Sequence, residues 1–151
     1  MKISTLIVAI SFSALLITCN TNENVPSMEH FKTIRGGCAD GLPPSAMVTE
    51  EKTDTIYHYI DSNYLNIYVG FVASCCIQYS DKAYINGNKI TLLLDQVSSE
   101  PCDCICYYEF TFKFKELEKK TYNYVVKING IEKFSGTIDL RQLMKMNNLF
   151  A

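Results

Sequence analysis

The sequence has no tryptophan, so its aromatic residues are 10 tyrosines, 8 phenylalanines and 2 histidines. It also lacks a basic excess. Lys and Arg number 14 against 16 Asp and Glu, a formal charge of -2. Nucleic-acid binders carry a positive footprint, so nucleic acid is not an expected partner. Charged residues are 20% and apolar residues 48%, too apolar a balance for a disordered chain. No HxxxH or HExxH spacing occurs, and no Ser or Cys nucleophile pairs recognisably with His30 or His58. Both histidines therefore read as packed or solvated. Gly36-Gly37 lacks the strand-then-helix context of a phosphate loop. Glu50, Glu51, Asp54 and Asp61 read as solvated loop charges, and the Lys and Glu mixture at 113–120 as a solvated hairpin end. There is no internal repeat and no low-complexity block. The expectation is a protein that is not an enzyme, with no catalytic residue, cofactor or resident metal.

What is present begins with an address. Met1-Lys2 precedes an apolar run from Ile3 to Ile17. As a helix that run is roughly 22 Å long, short of a ~30 Å hydrocarbon layer. A charged start and an apolar run of this length read as a secretory signal. Leu16-Ile17-Thr18-Cys19 resembles the lipobox of bacterial lipoproteins. The resemblance implies that Cys19 is diacylated on sulfur and becomes the new N-terminus. Leu16 matches the usual position, and Thr18 stands where Gly, Ala or Ser is commoner. Acyl chains give stable anchoring, at ~0.8 kcal/mol per buried CH₂. Asn20 to Ser27 is polar and unpatterned, as a tether would be. Loss of residues 1–18 removes Lys2 and no acid, leaving a mature charge of -3.

Seven cysteines are many for 151 residues. With Cys19 lipidated, Cys38, Cys75, Cys76, Cys102, Cys104 and Cys106 remain, an even number suited to disulfides after export. Six cysteines allow 15 pairings. On a strand, alternate side chains share a face, so Cys102, Cys104 and Cys106 project from one side. Cys102 and Cys106 would lie roughly 13 Å apart, against about 5.5 Å between the Cα atoms of a bridge. Cys75 and Cys76 are therefore expected to bond two neighbouring members of the triplet, with Cys38 taking the third. The alternative is a soft-metal site, because five clustered thiolates would suit Cu(I) or Zn(II). CxCxC spacing on a strand does not easily wrap one ion.

The rest alternates with a period of two, as strands do. Thr55 to Ile60 is β-branched and aromatic. Leu65, Ile67, Val69 and Phe71 form an inward row that continues to Ala73 and Cys75, and Ile90, Leu92 and Leu94 form another. From Cys104 to Phe114 the even positions are Cys, Cys, Tyr, Phe, Phe and Phe. Tyr122 to Ile128 and Ile131 to Leu140 follow, with Gly136 marking a bulge or an edge. Asn86-Gly87 and Asn129-Gly130 are hairpin signals. Seven short strands and almost no helical pattern imply an all-β, disulfide-crosslinked antiparallel β-sandwich. Leu117 followed by Tyr122 resembles the tyrosine corner of immunoglobulin-like and fibronectin-like domains, which implies that the Tyr122 hydroxyl bonds nearby backbone. The expected organisation is signal peptide 1–18, flexible tether 19–34, sandwich 35–140, and a tail or short helix 141–151.

Cys75-Cys76 followed by Cys102-Asp-Cys-Ile-Cys-Tyr-Tyr-Glu109 resembles the small Bacteroidetes lipoproteins, across residues 60–130 and the signal. The resemblance implies a cell-envelope location, in particular the outer membrane, and a disulfide-bonded β fold. It implies no activity. Tyr57, Tyr59, Tyr64, Tyr68 and Tyr107 are expected to face outward, where tyrosines stack on sugars or anchor a protein. The expected function is a membrane-anchored binding or interaction module. Its partners are the lipid bilayer, through the acylated N-terminus, and a glycan or protein ligand. The alternative is a thiolate-based metal-binding or redox protein of the periplasm.

Overall fold

The computed structural model describes residues 27–40, 52–99 and 104–147. The expected signal peptide, Cys19 and Cys102 lie outside the described residues. Strand β1 spans Glu29–Gly37 and leads into a single 3₁₀ turn at Cys38–Asp40. Then come β2 (Thr55–Asp61), β3 (Tyr64–Ser74), β4 (Ile77–Asn86), β5 (Lys89–Ser99) and β6 (Ile105–Lys115). The order closes with β7 (Thr121–Ile128), β8 (Ile131–Asp139) and a short helix, α1 (Leu140–Asn147).

The strands form two sheets, β1-β6-β3-β2 and β4-β5-β7-β8. Alternation decides which side chains the sheets share. Leu65, Ile67 and Val69 of β3, Ile90, Leu92 and Leu94 of β5, and Phe112 and Phe114 of β6 are all fully buried. Each such side chain contributes about 1.5–3 kcal/mol on leaving water. At one end the filling is aromatic: Phe71 lies 5.6 Å from Tyr108 and 6.1 Å from Phe110, and Tyr79 meets Phe71 and Tyr108 edge-on. This is a β-sandwich, held by what its aliphatic and aromatic rows exclude from water.

Three hairpin turns use the positive φ that Asn and Gly tolerate. They are Ser62-Asn63 (50° and 66°), Gly87 (61°) and Asn129-Gly130 (53° and 77°). Helix α1 packs against β2 and β7, and Leu140 is fully buried.

Four details differ from the sequence expectations. Strand β1 begins at Glu29 and Met28 is only 3% exposed, so the domain starts inside the stretch 19–34 expected to be a tether. The β1 register shifts between His30 and Lys32, which breaks the alternation that would have announced a strand. The sheets are not wholly antiparallel, because β5 and β7 run parallel from Lys89↔Asn123 to Leu94↔Ile128. The sandwich architecture is that of immunoglobulin-like domains, but the strand order is its own: those domains set ABED against CFG. The tyrosine corner is not made. Tyr122 is fully buried, and its hydroxyl has no hydrogen-bond partner among the described residues.

Candidate functional site

Parity places the tyrosines. In β3 the odd positions face the core, so Tyr64, Tyr68 and Gly70 face outward. Cross-strand partners share a face. Tyr57 lies opposite Tyr68, Tyr59 opposite Asn66, and Tyr107 opposite Val72. Tyr57, Tyr59, Tyr64, Tyr68 and Tyr107 therefore all stand on the outer face of the first sheet.

They do not form one patch. Tyr57 stacks on Tyr68 at 4.5 Å between ring centroids, and on Tyr59 at 6.0 Å. Tyr57 is 49% exposed and Tyr59 41%. Tyr107 is 7% exposed and lies across Gly70, where the absent side chain makes room for its ring. Lys52 Nζ sits 4.7 Å from the Tyr107 ring centroid, and the Tyr107 hydroxyl reaches the Thr53 carbonyl at 3.4 Å. Tyr64 stands apart. Its ring meets Phe31 at 5.2 Å and Lys113 Nζ at 5.3 Å. It also lines a separate open groove of about 480 Å³ with Lys115, Leu117 and Met144.

Glu109 orders the cluster. Tyr68 Oη donates to Glu109 Oε1 at 2.6 Å. Burial raises the Tyr68 pKa, and the hydrogen bonds to Glu109 and Tyr107 raise it further, so Tyr68 stays a neutral donor. Glu109 and Gly70 are site residues that the sequence reading passed over. Both were discoverable, because Glu109 shares the odd, outward parity of Tyr107 and Gly70 that of Tyr68.

The cysteines gather at one end of the sandwich. Cys38 bonds Cys106 with Cα atoms 6.1 Å apart, and Cys75 bonds Cys104 at 5.6 Å. Cys76 is also disulfide-bonded. The first bridge staples the end of β1 to β6. The second ties the β3–β4 turn to the start of β6, where Cys75 N–H also donates to the Cys104 carbonyl at 3.1 Å. The sulfurs of Cys75, Cys76 and Cys104 lie within 4.8 Å of one another. Tyr108 fixes the same turn from beneath, its hydroxyl 2.8 Å from the Ser74 carbonyl and 2.7 Å from that of Ile77.

The histidines pack inside. His30 lies 5.5 Å from the Phe114 ring and 3.2 Å from Thr33 Oγ1. His58 lies 6.4 Å from the Tyr124 ring. Burial lowers the pKa of both. Arg35 donates through Nε to Asp81 Oδ1 at 2.8 Å, joining β1 to β4. Lys133 pairs with Asp54 at 2.6 Å, joining β8 to the segment before β2.

No protein-family profile matches this chain, and comparison with curated proteins and with solved structures returns no match.

Proposed function

We propose that this chain is a lipid-anchored protein of the bacterial cell envelope, held at the outer membrane through acylated Cys19, whose sandwich serves as a binding module. The outer face of the first sheet is its contact surface, and the ligand is a glycan or an envelope protein. The observation that carries this reading is the Tyr57–Tyr59–Tyr68 stack. Two of its rings are about half exposed, yet ordered by ring contact and by the Tyr68–Glu109 bond. Rings fixed before binding lose little entropy on contact, which is what a binding aromatic needs. The test is capture from native membranes by crosslinking, together with a glycan array. Tyr57→Ala and Tyr59→Ala should each weaken binding about tenfold, as loss of a contact aromatic does. Unchanged capture and array signal in both variants would remove the tyrosine face from the account.

A second reading has its own observation. Three cysteine sulfurs within 4.8 Å would form a soft-metal or redox cluster once reduced. A thiol count under denaturing, non-reducing conditions, with metal analysis, separates it from the first. Bound Cu(I) or Zn(II) with free thiols favours the thiolate reading. Fully oxidised cysteines without metal favour the binding module.

A further inference from the structure

The turn between β3 and β4 is Cys75-Cys76, since β3 ends at Ser74 and β4 begins at Ile77. On a straight strand, neighbouring side chains point to opposite faces. The turn sends these two to the same place. Their sulfurs lie 4.0 Å apart, and both lie within 4.8 Å of the sulfur of Cys104, the residue before β6. Cys104 is bonded to Cys75, and Cys76 is bonded to a partner outside the described residues. Two bridges therefore meet at one point, with three of their four sulfurs in mutual reach. Cys106 stands outside this group; it is 2% exposed and bonded to Cys38.

We infer that these sulfurs form a movable bridge: when a dithiol reductant opens either disulfide, the remaining one shifts so that Cys76 holds Cys104 in place of Cys75. The reductant gives two electrons and two protons to one bridge, becomes a disulfide itself and leaves two thiols on the chain. If the Cys76 bridge opens, the Cys76 thiolate attacks the Cys104 sulfur. The Cys76–Cys104 bond forms, the Cys75–Cys104 bond breaks, and Cys75 leaves as a thiolate that takes up a proton. If the Cys75 bridge opens instead, the Cys104 thiolate attacks the Cys76 sulfur, and the former partner of Cys76 leaves. The shift itself consumes no electrons, and both orders end at the same bond. Such exchange needs a thiolate within reach of a disulfide sulfur, and its rate follows the thiolate fraction.

The fold accommodates the shift. The Tyr108 hydroxyl lies within hydrogen-bond distance of the Ser74 and Ile77 carbonyls, so the turn is anchored from beneath whichever of its cysteines is bridged. Cys104 is exposed and offers the reductant an entry, whereas Cys75 and Cys76 are half-buried. The Cys38–Cys106 bridge keeps β1 on β6 throughout. The chain thus carries one structural disulfide and a responsive pair, and the partner of that pair is a dithiol. The inference concerns the oxidised chain, needs no metal, and is independent of the ligand of the tyrosine face.

The test is partial reduction of the purified full chain in non-ionic detergent with equimolar dithiothreitol, at about pH 8, where ordinary thiols are partly ionised. Acid quenching, alkylation and digestion without reductant follow, and fragmentation of the bridged peptides tells Cys75 from Cys76. The untreated chain should hold Cys104 with Cys75 only. The chain that gains two alkyl groups should hold Cys104 with Cys76 in a substantial share, unchanged on dilution, with Cys38–Cys106 intact. Cys104 found only with Cys75, or only as a thiol, overturns the inference. So does a Cys76–Cys104 bridge already present before treatment, a share that falls on dilution, or a Cys38–Cys106 bridge that opens before the others. Metal and free-thiol analysis of native material decides the thiolate reading separately, and ligand capture decides the tyrosine face, so each failure is told apart from this one.

Discussion

Tyr107 lies directly over Gly70, and a Cβ on Gly70 would sit 2.6 Å from the Tyr107 Cζ. The glycine is there for the space, since its backbone angle is ordinary. The ring is held from above as well, by Lys52 and by the Thr53 carbonyl. Gly70→Ala should therefore displace Tyr107 at a cost of about 1–3 kcal/mol, the usual range for overpacking. Thermal unfolding should show a midpoint lower by several degrees. An unchanged midpoint would mean that the ring moves aside freely.

Tyr108 should matter more for its hydroxyl than its ring shape suggests. Its one hydroxyl proton is shared between the carbonyls on either side of Cys75-Cys76, both in partly buried positions. Tyr108→Phe keeps the stacking on Phe71 and removes only the donor. Urea unfolding should report a loss of about 1 kcal/mol, the usual net worth of a hydrogen bond.

The two bridges close loops of different length, 68 residues for Cys38–Cys106 and 29 for Cys75–Cys104. The chain-entropy account gives about 4.4 and 3.6 kcal/mol respectively. Cys38→Ser with Cys106→Ser should thus destabilise slightly more than Cys75→Ser with Cys104→Ser. Equilibrium unfolding of the two double variants measures the difference. A reversed order would mean that residual structure in the denatured chain outweighs loop length.

Stability should fall in acid in two stages. Burial lowers the pKa of His30 and His58 from 6.5, so the unfolded chain holds more protons just below that value. Their contribution is complete above pH 6.5 and is lost as the pH falls through the lower folded values. Asp81 follows. Burial opposes its ionisation, but Thr33, Arg35 and His30 outweigh burial and hold its pKa below 3.8. Its contribution is present above that value and is lost beneath it. Urea midpoints should decline from pH 7 to pH 5, and His30→Gln with His58→Gln should flatten that decline. Asp81→Asn should remove the stage below about pH 4 and, by taking away the carboxylate that raises the His30 pKa, steepen rather than flatten the decline above it.

The strands with clean alternation were readable because one face of each is dry. The row Cys106, Tyr108, Phe110, Phe112, Phe114 announces its side of β6 without ambiguity. The Asn129-Gly130 turn was readable for a stereochemical reason. Strand β1 was hidden by its bulge and by charges that face solvent or Asp81. The parallel β5–β7 pair was invisible because alternation reports a strand's faces and never its neighbours. Disulfide choice among the cysteines failed to resolve for the same reason, since it depends on which strands lie side by side. Tyr122 misled because a loop-then-strand spacing carries no information about where its hydroxyl ends up. The tyrosines on the outer face were found by parity, but their division into a stack, a ring over Gly70 and the separate Tyr64 required coordinates.

The central claim is a lipid-modified N-terminus on a fully oxidised sandwich, and intact mass spectrometry of protein from native membranes tests it most directly. The expected spectrum is a chain starting at Cys19 with a diacylglyceryl mass, no alkylation before reductant and six alkylated cysteines after it. An unacylated chain still carrying residues 1–18, or six cysteines alkylated without reduction, would contradict it.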